Sequence, residues 1–286
     1  MRKQVVIIRR GALGDVIWTE PIISYFLDRD FKVKLISRYA SIFKNRTNLL
    51  KIEKLSYFEK LRIKVFSFLF RDYFKVINLD NTYEQQPQHS IIKAYVDKVG
   101  LPINCNVNKL NFELDETNRL KKTKKVAIFH IQAASQILNH RNAFGVNWNE
   151  LEKMLEVNGF QTIEIISQLD NYNPILQNHL IVNLEELFGT IEQCDLFIGL
   201  DSGPAHIANL LKIKSFLFFG SVKPELRLDM DNFQGHIFQS PCEFAGCYHS
   251  AIGTRGAICK IVGEFGEPPC CVHKSNEVLE IIKKNI

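Results

Sequence analysis

The stretch Leu196-Phe197-Ile198-Gly199-Leu200-Asp201-Ser202-Gly203-Pro204-Ala205-His206 decides the fold. Its first five residues form an apolar run of strand length, and a helical pattern follows from Ala205 to Leu211. A second apolar run, Ser215 to Phe219, ends at Gly220. Strand, tight turn, helix, strand is one βαβ unit. The turn holds a carboxylate, a hydroxyl and a glycine. Pro204 stands beside the first helical turn, where its missing N–H costs little. Backbone N–H groups left open at a helix N-terminus bind anions. The turn therefore suits a phosphorylated ligand, with polar side chains to orient it.

A second strand-to-helix turn lies near the other end of the chain. Val5-Val6-Ile7-Ile8 reads as a buried strand, then Arg9-Arg10-Gly11-Ala12-Leu13-Gly14-Asp15, then helix from Val16 to Leu27. Two glycines permit a tight turn. Asp15 falls in the first helical turn, where the helix dipole favours a carboxylate. Between and beyond these turns strands and helices alternate. In the first half strands are predicted at 4–9, 32–36, 52–56 and 75–79, with helices at 15–28, 38–46, 58–71 and 88–99. The charged segment 115–125 reads as a linker. A second series follows: strand from Val126, helix 148–158, strand 161–166, helix 185–193, strand 195–200, helix 205–212, strand 214–219 and a last helix at 276–284. Such alternation implies parallel sheets covered by helices on both faces. It gives an α/β fold of two Rossmann-like, doubly wound domains facing a cleft: 1–118, 119–275 and a closing helix at 276–286. In open parallel sheets ligands bind beyond the carboxyl ends of strands, and Asp15 and Asp201 both stand there.

Composition supports an ordinary globular chain: 286 residues, 46% hydrophobic and 23% charged. No apolar run approaches the roughly 18–20 residues of a membrane span, and no secretory signal is read at Met1-Arg2-Lys3, so the expected location is cytoplasmic. The net charge of +5 is unevenly spread. Residues 1–125 carry 25 Lys and Arg against 13 Asp and Glu, and the remainder carries 11 against 18. A basic first half suits an anionic partner. Nucleic acid is disfavoured, because no zinc-finger, recognition-helix or RNP-type pattern is present. The basic, aromatic stretch Leu61 to Arg71 is read either as a helix lying on a membrane surface or as one packed on the sheet with its cations at the edges.

Together the two turns resemble those of the bacterial heptosyltransferases, the family 9 glycosyltransferases. Gly11-Ala-Leu-Gly-Asp15-Val16-Ile17, with Thr19 and Pro21, is similar to the family's opening. Asp201-Ser-Gly-Pro-Ala-His206-Ile-Ala208, with Phe218-Phe219-Gly220 and Pro224, is similar to its donor signature. Looser matches lie at Ile77 to Asp80, Leu184 to Leu187 and Cys194 to Leu196. The resemblance implies a GT-B fold and an inverting transferase that needs no cofactor for catalysis. It implies a nucleotide-sugar donor, ADP-heptose first, and an anionic glycan or glycolipid acceptor in lipopolysaccharide biosynthesis at the inner face of the membrane. Asp15 would be the general base, with Arg10, Gly11 and Gly14 forming the acceptor-side loop. Asp201, Ser202, Gly203, Pro204 and His206 would hold the donor, joined by Arg141 and Lys223. The family places a Lys or Arg a residue or two before a Trp in the loop before the second domain's first helix; here Arg141 and Trp148 are far apart. The family's acidic residue after the next strand has only Asp170 to match it.

Five cysteines crowd the C-terminal region: Cys242, Cys247, Cys259, Cys270 and Cys271, with His249 and His273 close in sequence. Their spacing departs from zinc-ribbon patterns. A structural zinc or iron, a disulfide and free thiols are all open, and a reducing compartment favours the metal over the disulfide; some relatives that glycosylate autotransporter proteins hold an iron there. Competing functions are a transferase with another donor or a protein acceptor, a dinucleotide-dependent oxidoreductase, and a silent sugar-nucleotide module. The oxidoreductase is disfavoured because Gly11-x-x-Gly14 lacks the third glycine of a dinucleotide turn.

Overall fold

The computed structural model describes residues 3–43, 46, 48–86, 88–112, 120, 123–132, 140–167, 173–247, 258–263 and 266–286. The chain divides into two compact units, Met1–Glu113 and Leu114–Ile286.

Unit 1 is built on four parallel strands: β1 (Gln4–Ile8), β2 (Lys32–Ile36), β3 (Leu49–Ile52) and β4 (Phe74–Asn78), in the order β3-β2-β1-β4. Val5 of β1 pairs with Val33 of β2 on one side and with Lys75 of β4 on the other. Val5, Val6 and Ile7 are fully buried, as the short apolar run requires of a strand covered on both faces. The helix predicted at 15–28 is two helices, α1 (Leu13–Ile17) and α2 (Glu20–Leu27). The break has a plain cause. Thr19 turns its N–H and its hydroxyl back to the Val16 carbonyl, at 3.1 and 2.7 Å. Pro21 then opens α2, where it needs no N–H partner. The helix predicted at 38–46 is reduced to a 3-10 turn at Ala40–Ile42, and the strand predicted at 52–56 is β3, three residues earlier. Helices α3 (Tyr57–Leu69) and α4 (Ile91–Val99) follow the prediction closely. Serines 56 and 90 accept bonds from the Glu59 and Lys93 N–H groups and start them.

Unit 2 is built on six parallel strands: β5 (Lys125–His130), β6 (Phe160–Ser167), β7 (His179–Val182), β8 (Leu196–Leu200), β9 (Ser215–Phe218) and β10 (Gly235–Phe238). The order is β10-β9-β8-β5-β6-β7. Its helices are α5 (Trp148–Val157), α6 (Leu184–Glu192), α7 (Gly203–Leu210) and α8 (Ser275–Asn285). Phe129, Ile198 and Phe216 of the sheet meet Leu151 and Leu155 of α5 and Val278 and Ile282 of α8 in one core. The edge strands β7 and β10 were not anticipated. The predicted linker at 115–125 falls mostly outside the described residues, and Lys125 already belongs to β5.

Read from β7, the second sheet runs third, second, first, fourth, fifth and sixth strand. That is the doubly wound Rossmann order, in which the chain reverses direction between its first and fourth strands. The first sheet has the same reversal between β1 and β4. Crevices for ligands open at such reversals, beyond the strands' carboxyl ends.

Candidate active sites at the two strand-order reversals

In unit 1 the reversal lies beside Arg9 and Asp15, which follow β1. Both are buried, at 3% and 6% exposure. An Arg9 Nη2 hydrogen-bonded ion pair fixes Asp15 Oδ2. The guanidinium has two further hydrogen-bond partners. Nη1 donates to the Leu79 carbonyl at 3.2 Å and Nη2 to Glu84 Oε1 at 3.3 Å. The Tyr83 and Tyr95 rings stand 5.3 and 5.7 Å from it. Burial works against the charge on Arg9, yet Asp15 and the smaller contributions of Tyr95 and Glu84 raise its pKa. The Tyr95 phenol is pushed well up, first by burial and then by the Asp15 charge. The Tyr95 ring therefore stays a neutral wall beside the ion pair.

The acceptor-side loop predicted at Arg10, Gly11 and Gly14 is braced from β4. Asp80 accepts from the Arg10 backbone N–H at 2.8 Å and from Arg10 Nε at 2.6 Å, while the Arg10 side chain stays 72% exposed. A side chain at Gly11 would begin 3.2 Å from Arg9 Nη2, so the glycine leaves room for the guanidinium. Gly14 is buried within α1. One polar feature of this unit was missed. Glu20 of α2, 1% exposed, accepts from the Ser24 hydroxyl, from Asn111 Nδ2 and from the Asn108 N–H at 3.0 Å, with Arg46 at 3.6 Å. It lines a cavity of about 330 Å³ with Tyr25 and Arg29 and ties segment 108–111 to α2.

In unit 2 the reversal lies between β5, which ends at His130, and β8, which leads into Asp201. Asp201 is 3% exposed. Arg141 Nε approaches its Oδ2 to 3.3 Å, and Arg141 Nη1 reaches its carbonyl at 3.5 Å. Among the described residues Oδ2 carries the ion pair and no hydrogen bond. Burial would raise the Asp201 pKa, but the charges of Arg141 and Arg227, and then of His206 and His140, outweigh it and hold the carboxyl below its ordinary range. One carboxylate thus sits among two arginines and two histidines. The surroundings suit an anion at the start of α7, where the Gly203 and Ala205 N–H groups lie in the first turn and Pro204 has none.

Ser202 occupies the N-cap position of α7 but makes no capping bond with its side chain. Its hydroxyl lies 3.0 Å from Nδ1 of His130 instead. Burial lowers the His130 pKa to about 4, so the ring is neutral at pH 7 and presents one acceptor nitrogen. His206 is 5% exposed, one turn into α7. Lys223 precedes the 3-10 turn Pro224–Leu226, and its aliphatic stem lies against Gly246. Trp148 does not join Arg141; its ring packs edge-on against Phe218, 5.2 Å between centroids. Sequence reasoning missed Arg227, His140 and His130. Of these, His130 had a readable signal, a polar residue closing the apolar run Val126 to Phe129. Asp170 and His249 lie outside the described residues.

The C-terminal cysteines stand behind the Arg141 loop. The Phe144 N–H donates to the Cys271 carbonyl and the His273 N–H to the Phe144 carbonyl, each at 2.8 Å. At Gly220 a side chain would collide with the His140 carbonyl and with Cys271 Sγ, at 2.2 and 2.3 Å. Strand end, Arg141 loop and cysteine segment therefore meet in close contact. No disulfide joins the seven cysteines. The Cys270 thiol is lowered to about 7, chiefly by a hydrogen bond from Cys271, whose own pKa is raised by the same bond. Cys242 also bonds to Cys270, and the charges of Cys270, Cys259 and Cys242 raise the thiol of Cys247 after burial does. Among the described residues no three His, Cys, Asp or Glu converge so as to hold a metal ion. Of the cysteines expected to hold a zinc or iron, Cys242, Cys247, Cys259, Cys270 and Cys271, the structure brings Cys242 and Cys271 within hydrogen-bonding reach of Cys270.

Comparison with known proteins bears on the family and the fold. Residues 74–228 match the model of glycosyltransferase family 9 (heptosyltransferase). Among solved structures, E. coli ADP-heptose LPS heptosyltransferase II is 13% identical with a TM-score of 0.63, over 99% of this chain and 98% of that one. E. coli heptosyltransferase WaaC with ADP is 13% identical with a TM-score of 0.59, over 99% of this chain and all of that one. The iron-containing dodecameric glycosyltransferase TibC of enterotoxigenic E. coli is 14% identical with a TM-score of 0.69, over 99% of this chain and 77% of that one. No curated protein matches the sequence.

Proposed function

This chain belongs to glycosyltransferase family 9, and from that premise we propose that it moves a heptose from ADP-heptose to an anionic glycan or glycolipid acceptor of the lipopolysaccharide-core kind, with inversion. The observation that carries the reading is topological. Each sheet reverses its strand order once, and each reversal coincides with one of the two motifs.

In this reading the N-terminal domain serves the acceptor and the C-terminal domain the donor. Asp15 takes the proton of the acceptor hydroxyl. That oxygen attacks the anomeric carbon of the heptose from the face opposite the diphosphate. The bond from that carbon to the diphosphate breaks, and ADP leaves. A single displacement inverts the centre. A carboxylate is a weak base, so its placement matters more than its strength. The Arg9 clamp on Asp15 supports that role, because it leaves the carboxylate one orientation. Arg10, with Gly11 and Gly14, forms the loop on the acceptor side.

The diphosphate belongs at the start of α7, on the N–H groups of Gly203 and Ala205, with Arg141 and His206 meeting its charge. Asp201 and Ser202 orient the sugar and the loop, and Lys223 stands further out on the donor side. No step calls for a cofactor. Among the described residues no helix is long and apolar enough to cross a membrane, and the proposed place of action is the cytoplasmic face of the inner membrane.

A thermal-shift comparison of ADP, ADP-heptose, UDP-, GDP- and CMP-sugars and NAD tests the donor assignment. A ligand of the folded state at a hundred times its Kd stabilises by about 2.7 kcal/mol. The adenine diphosphates should raise Tm and the other nucleotides should not. A response to NAD with none to ADP-heptose would replace the transferase by a redox enzyme.

A further inference from the structure

Helix α3 is apolar on two opposite sides. At 100° per residue, Ile63 and Phe66 share one face, and both pack on Val6, Ile36 and Phe74 of the sheet. Phe58, Leu61, Val65, Phe68 and Leu69 share the other. They follow the i, i+3, i+7, i+10, i+11 spacing of a continuous stripe. Their exposures are 80, 49, 41, 70 and 61%. No residue of the helix is buried. The two sequence readings of this segment, packed on the sheet or laid on a membrane, therefore describe its two faces.

Exposed apolar patches of this kind mark a partner surface. The flanks of the stripe indicate which. Lys60, Lys64 and Arg71 border it on one side and Arg62 on the other, all exposed. The acid of the helix, Glu59, is engaged in the capping box with Ser56. Arg71 lies 5.6 Å from the Phe68 ring, so this cation and an aromatic of the stripe form one surface. A second copy of the same helix would bring like charges together at both borders. An anionic bilayer meets both parts at once, the stripe at the acyl boundary and the cations at the headgroups. Thirteen residues span about 20 Å, short of the roughly 30 Å hydrocarbon core, so the helix would lie in the surface rather than cross it.

We propose that α3 is a membrane-docking helix that seats Phe58, Leu61, Val65, Phe68 and Leu69 in an anionic lipid surface. The assignment rests on the helix alone and is independent of the donor and acceptor proposed above.

Flotation of the full chain with vesicles of phosphatidylcholine, with and without phosphatidylglycerol and free of any glycan, tests it. The chain should float with the anionic vesicles and much less with the neutral ones. Phe58→Ser with Phe68→Ser, and separately Lys60→Gln with Lys64→Gln, should each lower partitioning about tenfold or more. Both variants change exposed side chains and should keep the wild-type Tm. Three results would overturn the proposal: no flotation with either vesicle, unchanged flotation of both variants, or a dimer in light scattering that Phe58→Ser with Phe68→Ser dissolves while vesicles are ignored. The last would give the stripe to a second copy of the chain.

Discussion

The two units present the same construction, a buried carboxylate just past a strand at a sheet's reversal, and treat it differently. Asp15 is matched by one guanidinium that two tyrosine rings and the Leu79 carbonyl hold in place. Asp201 stands among Arg141, Arg227, His206 and His140, and its Oδ2 receives an ion pair from Arg141. In unit 1 one guanidinium meets two carboxylates, Asp15 and Glu84, and geometry is fixed. In unit 2 positive groups outnumber the carboxylate. A fixed carboxylate suits proton abstraction; a cationic surplus at a helix N-terminus suits a departing diphosphate.

Removing Arg9 should disturb unit 1 most. Arg9→Met leaves Asp15 a buried charge without its principal partner, and breaking a buried pair in this way costs about 3–5 kcal/mol. Denaturant unfolding should show that loss, and Arg9→Lys should recover part of it. A variant as stable as the wild type would mean that the pair does not organise unit 1.

The unit 2 site should carry an acid-sensitive element. Buried His130 has its pKa lowered to about 4 against 6.5 when unfolded. Between those values the unfolded chain binds the proton and the folded chain does not. Stability from this group is therefore full above pH 6.5 and falls as pH drops toward 4, by about 3 kcal/mol in all. His130→Gln should flatten that part of the Tm–pH curve. An unchanged slope would remove His130 as its cause.

Arg141→Gln reduces the cationic surplus by one charge. Loss of a charge-assisted contact of about 1.5–3 kcal/mol should weaken ADP binding roughly ten- to hundredfold in calorimetry. Lys223→Gln should have a smaller effect, since Lys223 lies against Gly246 rather than beside Asp201. If the two variants rank the other way, the diphosphate sits nearer the 3-10 turn than the start of α7.

How far these sites were legible follows from what sets each feature. The strands β1, β5 and β8 are covered on both faces, so their sequences are unbroken apolar runs, and the turns after them carry the glycines and carboxylates. Both sites' first carboxylates were readable for that reason. Edge strands are less constrained: β7 is His179-Leu-Ile-Val182, only four residues with exposed positions, and carries little pattern. The segment 38–46 has helical spacing, yet Ser37 turns its hydroxyl to the Tyr39 N–H at 3.1 Å and the chain bends. The partners Arg227 and His140 come from irregular segments, which have no period to place them. Arg9 was legible as a residue and not as a clamp, because Leu79, Tyr83, Glu84 and Tyr95 reach it across some 70 to 86 positions of chain.

The division of labour between the two carboxylates is the central claim, and Asp15→Asn tests it most directly. The amide keeps the shape and loses the base. Steady-state transfer from ADP-heptose should fall about 10²–10⁴-fold, while calorimetry with ADP should give an affinity close to that of the wild type. Normal turnover in Asp15→Asn would remove Asp15 from the reaction, and a parallel loss of ADP binding would show that the two sites are not separate in function.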